Sequence, residues 1–84
     1  LDYEAIYWGD IDKAGFAILS MVRKYMNTKS FLMDLKTFKK FEDLSVSDNA
    51  QNYNGLNLTE DEFECFNYIK KVTKRLEQER IPFD

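Results

Sequence analysis

At 84 residues, 44% hydrophobic and 32% charged, the chain has room for one domain at most and a small core. It contains no histidine, which excludes Ser-His and Cys-His dyads and any His-ligated zinc or iron site, and leaves catalysis to carboxylate, lysine, arginine, tyrosine and metal. A formal charge of −3 argues against a general nucleic-acid binder, no run is apolar enough to span a bilayer, and a single cysteine rules out an internal disulfide and fits a reducing, cytoplasmic setting.

Glu4 to Gly9 reads as a short strand, aromatic and β-branched in character and closed by glycine. Asp12 can cap the helix that follows, in which Ile18, Met21, Val22, Tyr25 and Met26 fall on one face at helical spacing, with Leu19 beside them. Asn27 is the expected stop, and Lys29 to Met33, with its apolar run Phe31-Leu32-Met33, a second short strand. Strand, helix, strand is a βαβ unit, which implies parallel pairing and a right-handed crossover.

Asp34 is placed to cap a short helix carrying Leu35, Phe38 and Phe41. From Asp43 to Asn57 the pattern dissolves into Ser, Asp, Asn, Gln and Gly, a surface loop. Thr59-Glu60-Asp61-Glu62 is a capping box, with Leu58 and Phe63 at the staple positions around it. The helix it opens runs through Phe66, Ile69 and Val72 either to about Lys74 or on through Arg75 to Arg80, where Pro82 forbids more. Parallel sheets need both faces covered and usually more than two strands. A further βα unit is therefore expected, upstream of Leu1 or from a second copy, and the chain reads as a piece of a longer protein.

The chemistry concentrates where the first strand ends. Asp10 and Asp12 form an Asp-x-Asp pair after an apolar run, where parallel-sheet proteins place ligands. Two carboxylates this close repel each other unless a cation neutralises them, and Mg²⁺ takes one or two carboxylates together with water and phosphate oxygens. The plainer reading makes Asp12 a helix cap and Asp10 a loop acid. Gly15, costly in a helix by about 1 kcal/mol relative to Ala, is explained by close packing of that turn or by a phosphate near the backbone. Lys13 could meet a phosphate or simply neutralise Asp10. Glu77 and Glu79 form a second acidic cluster, expected on different faces of a helix and so not joint ligands of one ion. Tyr3, Tyr7, Trp8, Phe16 and Phe31 are expected in packing, as is Tyr25. Cys65 is expected to be a buried structural thiol. Arg23, Lys24, Lys29, Lys36, Lys39 and Lys40, and separately Lys70, Lys71, Lys74 and Arg75, cluster positive charge that could touch phosphates or form solvated helix faces.

The segments Tyr7-Trp8-Gly9-Asp10-Ile11-Asp12 with Gly15-Phe16-Ala17-Ile18-Leu19, then Leu32-Met33-Asp34, then Arg75-Leu76-Glu77-Gln78-Glu79-Arg80-Ile81-Pro82 closely resemble the C-terminal domain of JetD, the DNA-cleaving subunit of Wadjet-type bacterial anti-plasmid systems. That domain is similar to the Toprim domains of the topoisomerase VI A subunit and of the meiotic double-strand-break protein, which share an Asp-x-Asp-x-x-Gly segment matched here by Asp10, Asp12 and Gly15. The resemblance implies an α/β Toprim-like, Rossmann-like parallel sheet flanked by helices, with residues 1–84 as its incomplete C-terminal portion. It implies a Mg-dependent endonuclease (Mn²⁺ also serving) in which Asp10 and Asp12 are metal ligands and catalytic. The implied partners are DNA, an SMC-like motor complex and a second copy of the protein. The family's catalytic glutamate, after an earlier strand, has no counterpart here, so the chain alone is expected to be inactive. The alternatives are a haloacid-dehalogenase-type phosphatase, whose pair is normally followed by x-Thr or x-Val rather than Lys13-Ala14, a non-catalytic Toprim module that binds DNA or a partner, and a metal site that only holds the fold.

Overall fold

The computed structural model describes residues 4–82, and the positions of Tyr3 and Phe83 lie outside them. The first strand, β1 (Glu4–Tyr7), runs parallel to β2 (Asn27–Ser30), with Glu4 opposite Asn27 and Tyr7 opposite Ser30. Helix α1 (Lys13–Arg23) crosses between them, so the βαβ unit stands as read. Its strands are displaced from their predicted places. β1 ends at Tyr7 rather than Gly9, and β2 covers the polar Asn-Thr-Lys-Ser segment, sharing only Lys29 and Ser30 with the predicted Lys29–Met33 stretch. Phe31 still donates its N–H to the Tyr7 carbonyl (2.9 Å), but Leu32 then turns left-handed (φ 57°). A bulky residue in that region cannot continue an extended strand. The turn drops Met33 into the core and presents Asp34 as the cap of α2 (Leu35–Lys40), through Thr37 N–H (2.8 Å).

The capping box at Thr59 opens α3 (Glu60–Val72) as expected: Glu62 N–H donates to Thr59 Oγ1, and Thr59 N–H to Glu62 Oε1. The helix stops sooner than read. Thr73 is left-handed (φ 53°), and the chain beyond it is extended instead of helical. Within the Asp43–Asn57 segment, a 3₁₀ turn (Glu42–Leu44) leads to a two-residue strand, β3 (Val46–Ser47), antiparallel to β4 (Lys74–Arg75). Leu76 then exchanges both backbone hydrogen bonds with Ile11 (2.8 and 3.0 Å), and a second 3₁₀ turn (Gln78–Arg80) follows.

The core joins Phe16 and Leu19 of α1, Phe38 of α2 and Cys65, Phe66 and Ile69 of α3 with Ile11, Met33, Leu76 and Ile81. Fully burying a side chain of this size is worth about 1.5–3 kcal/mol. The face of α1 that meets this core carries Phe16, Leu19 and Ser20, not the predicted stripe: Ile18, Met21, Met26 and Tyr25 are exposed, Tyr25 by 82%. That stripe was inferred from hydrophobic spacing alone, while the buried face includes Gly15, Ser20 and half-buried Arg23. Arg23 is held inside by Glu62, with two N–H···O contacts, and by the carbonyls of Thr28 (3.1 Å) and Asn57 (2.9 Å). Ser30 Oγ donates to the same Glu62 carboxylate. A buried charge of this kind persists only when it is paired and hydrogen-bonded. Burial alone would raise the Glu62 pKa, but the bonds from Arg23, Ser30 and Thr59 outweigh it and hold the pKa below 4.5.

Candidate acidic site at the end of strand β1

Four residues after β1, Ile11 turns its side chain wholly into the core. Its backbone pairing with Leu76 fixes the turn on both sides, so Asp10 and Asp12 flank a buried anchor. Asp12 is the N-cap of α1, its Oδ1 accepting from Gly15 N–H. Asp10 Oδ1 accepts from Gln78 N–H (2.7 Å), a bond that ties the turn to the last 3₁₀ segment. Each aspartate thus spends one oxygen on backbone and keeps the other free of hydrogen bonds among the described residues.

Gly15 owes its place to close packing. A β-carbon there would collide with the Asp10 carbonyl oxygen and press on Asp12 Oδ1. The obstacle is backbone, which cannot swing aside as a side chain can.

The electrostatics of the turn set its carboxylates against each other. Burial, then the charges of Asp10 and Asp48, raise the Asp12 pKa above 3.8 against the opposing influence of the Gly15 N–H and Arg75. Tyr7, half-buried with its ring over Gly9, has its phenol pushed above 10.0 by burial and by Asp12 and Asp10. Tyr25, past the far end of α1, lies away from this chemistry.

Lys13 reaches the loop: its Nζ donates to the Ala50 carbonyl (2.5 Å), leaving two N–H donors for other acceptors. Glu77 and Glu79 do not sit on a helix. Glu77 precedes the 3₁₀ turn, and hydrogen bonding with Glu77, helped by the charge of Asp10, raises the exposed Glu79 carboxyl above 4.5. The helix on which the two were expected to diverge is absent: the chain after Thr73 is extended, and Glu79 stands in the second 3₁₀ turn. Cys65 is buried, with its thiol pushed up to about 12, and is unreactive in the fold.

The lysines of α2 and α3 are partly engaged with rings. Lys39 lies over Tyr68 (5.1 Å), Lys40 over Phe41 (5.4 Å) and Lys70 over Phe66 (5.1 Å).

The donor chemistry suits a hard cation. Oxygen ligands from one or two carboxylates, with water completing the shell, are what Mg²⁺ takes, and Asp10 and Asp12 offer one unbonded oxygen each. Among the described residues, no group of three His, Cys, Asp or Glu side chains converges to form a complete protein cage. Sequence reasoning missed Asp48, buried in the loop it passed over, and nothing in Ser45-Val46-Ser47-Asp48-Asn49 distinguishes that aspartate from its neighbours.

Fold and site together define a small mixed α/β unit, a two-stranded parallel sheet with helices, that presents acidic groups beyond the carboxyl end of a strand. The chain belongs to the Wadjet protein JetD C-terminal family, whose model matches residues 2–84. Membership implies a role in a Wadjet anti-plasmid system, a multi-subunit assembly. None of the curated proteins matches the chain. Among the described residues, no helix is long and apolar enough to cross a membrane.

Proposed function

We propose that this chain is the metal-binding end of a Toprim-like domain that cleaves DNA in its anti-plasmid complex. The observation that carries the reading is the Asp10–Asp12 turn. Two carboxylates are pinned by separate backbone bonds within a turn that tolerates no side chain at Gly15, and each keeps an oxygen free of hydrogen bonds among the described residues. Rigid placement of mutually repelling acids costs stability, and a divalent cation offsets that cost. Asp10 and Asp12 are the residues that would hold Mg²⁺ or Mn²⁺. When bound, the metal supplies Lewis-acid stabilisation of charge on the oxygens of a backbone phosphate. Gln78 N–H and Gly15 N–H orient the two carboxylates, and Lys13 offers its remaining donors to a phosphate oxygen next to them.

The same domain requires more sheet than these residues provide. Ile6 on β1 is 74% exposed, and Ile18 and Met21 of α1 are also uncovered, which supports a further βα unit carrying the catalytic glutamate that this chain lacks. DNA, an SMC-like motor complex and a second copy of the intact protein are the partners in this reading, and dimerisation suits breakage of both strands.

Supercoiled plasmid incubated with the intact protein and Mg²⁺ or Mn²⁺ tests the proposal, beside an Asp10→Ala, Asp12→Ala double mutant of equal folded stability. Metal-dependent nicking or linearisation that disappears in the mutant is the expected result. Cleavage that survives the mutation reduces the pair to structural residues. No cleavage by either protein, even with the motor subunits and ATP, favours a non-catalytic module.

A further inference from the structure

The carboxyl ends of the two parallel strands lead to different features. Beyond β1 lies the acidic turn. Beyond β2 the chain turns at left-handed Leu32 (φ 57°) beside a groove of about 610 Å³, lined by apolar Leu32, Phe41 and Pro82 and by Lys36 and Lys40 of α2. This is the edge of a parallel sheet at which ligands bind. A bulky residue keeps a left-handed backbone only where its surroundings enforce it. Groove and acidic turn also share a wall. The 3₁₀ turn Gln78–Arg80 gives its first N–H to Asp10 Oδ1 (2.7 Å), and the chain leaving it anchors Ile81 in the core and sets Pro82 at the groove. One turn of 3₁₀ helix, about 6 Å of rise, separates the bond at Asp10 from that wall.

The charge of the groove is positive in a chain whose formal charge is −3. Helix α2 reads Leu35-Lys36-Thr37-Phe38-Lys39-Lys40 and holds no acid. Lys36 and Lys40, four residues apart, lie one above the other on one helix face, and both are exposed. Among the described residues Lys36 has neither an ion pair nor a hydrogen bond, and Lys40 meets only the ring of Phe41 (5.4 Å). Lys39 stands apart from the groove, over Tyr68. The one acid in the lining, Asp34, spends its Oδ1 on the Thr37 N–H as the cap of α2. Two cations without acidic partners, set beside an apolar wall, are a recognition surface for an anion that also has apolar faces.

We propose that this groove carries the DNA backbone on one side of the cleaved phosphate. Lys36 and Lys40 contact two successive phosphates, and Leu32, Phe41 and Pro82 pack against the sugar between them. This rests on the nuclease reading above and extends it from the reacting phosphate to the strand that leads to it. Continuity favours DNA as the occupant: a strand with one phosphate at Asp10–Asp12 has its next ones within reach of the groove, across the shared 3₁₀ wall. Contacts of this kind fix register and orientation without reading sequence, which suits a subunit whose target is chosen elsewhere in its assembly.

Limited acetylation of the intact protein, read lysine by lysine by mass spectrometry with and without a short DNA duplex, tests the assignment. EDTA is present throughout, so no strand is cut and the result does not depend on the metal. Lys36 and Lys40 should be protected by the duplex, while exposed Lys24, past the end of α1 where β2 begins, should stay reactive. In anisotropy titrations the Lys36→Gln, Lys40→Gln double variant should bind the duplex roughly 10–100-fold less tightly at about 0.1 M salt, with a salt slope shallower by about 2. Its melting temperature should match wild type, since both side chains are exposed. A duplex that leaves these two lysines reactive, or a double variant with the wild-type salt slope, overturns the groove and leaves cleavage to the plasmid assay. Protection by a polyglutamate peptide but not by DNA overturns it in favour of a protein partner. Protection by DNA in a protein that fails the plasmid assay upholds the groove and overturns the nuclease reading instead.

Discussion

Two clusters of charge lie on this small fold, and they are built on opposite principles. At the Arg23–Glu62–Ser30 cluster, every buried charge has a partner: the guanidinium meets a carboxylate and two carbonyls, and the carboxylate also takes a hydroxyl and a backbone N–H. At the Asp10–Asp12 turn, like charges stand close together, each with one oxygen bonded to backbone and the other without a hydrogen bond among the described residues. The first arrangement secures the packing of α1, β2 and α3. The second is held in place by that packing, and under the proposed reading a cation is what relieves its repulsion. A fold of this size can keep an unfavourable cluster only because the rest of it is tightly satisfied.

The largest effect that would break this contrast is at Glu62. Removing one partner of a buried pair strands the other, at a cost of about 3–5 kcal/mol. Glu62→Ala also opens the capping box and frees Ser30. Urea denaturation of the variant should show a loss in that range, and a loss below about 1 kcal/mol would mean that Arg23 finds water instead.

Next in size is Gly15→Ala. Helix propensity alone predicts a gain of up to about 1 kcal/mol, whereas a methyl group driven against the Asp10 carbonyl predicts a loss of about 1–3 kcal/mol, typical of overpacking. Denaturation midpoints decide the sign, and a stabilised variant would show that the acidic turn is looser than its geometry.

How much of this contrast was legible in the sequence depends on the range over which each part is determined. The Thr59 capping box, the Asp34 cap and the Asp12 cap are set by residues three apart, and all three form as read. The parallel βαβ order followed from element sequence and is present. The strand at Asn27–Ser30 was legible only at its end, Lys29 and Ser30, because its polar residues carry no apolar pattern, while the apolar Phe31-Leu32-Met33 segment that resembles a strand is broken by the left-handed Leu32. Thr73 hides the end of α3 in the same way, since a β-branched residue is a poor candidate for a left-handed cap. Within the acidic site, Asp10 and Asp12 were visible by their spacing. The burial of Asp48 was not, because it depends on a two-residue β-pairing across a long loop.

Acid titration sharpens the comparison, because the two clusters respond with opposite sign. The Glu62 pKa is lowered by folding, so its stabilisation is complete above pH 4.5 and is lost as pH falls through the folded value. The Asp12 pKa is raised, so its ionised form weighs against the fold at neutral pH, and that weight lifts as pH falls from the folded value towards 3.8. Metal-free Asp12→Asn should therefore be more stable than wild type at pH 7, and the difference should vanish below pH 3.8. Wild type carrying Glu62→Gln should lose the steep acid limb instead. Saturating Mg²⁺ should remove the advantage of Asp12→Asn, since a ligand at 100 times its Kd adds about 2.7 kcal/mol to the native state that binds it.

The smallest effect is at Thr73, where the two regions meet. Its carbonyl accepts the Asp48 N–H, and its left-handed backbone turns the chain from α3, which carries Glu62, into β4, which leads to the acidic turn. A β-branched residue pays roughly 1–2 kcal/mol for that conformation, and glycine pays almost nothing. Thr73 recovers part of the cost through Oγ1, which donates to the Val72 carbonyl (2.7 Å). Thr73→Gly should therefore stabilise the protein by up to about 1 kcal/mol in urea denaturation, with Mn²⁺ affinity unchanged, because Asp10 and Asp12 take their backbone bonds from Gln78 and Gly15. A stabilised variant with weakened Mn²⁺ binding would instead show that the strain at Thr73 tunes the position of the loop, and that the satisfied and the crowded clusters are coupled through this one residue.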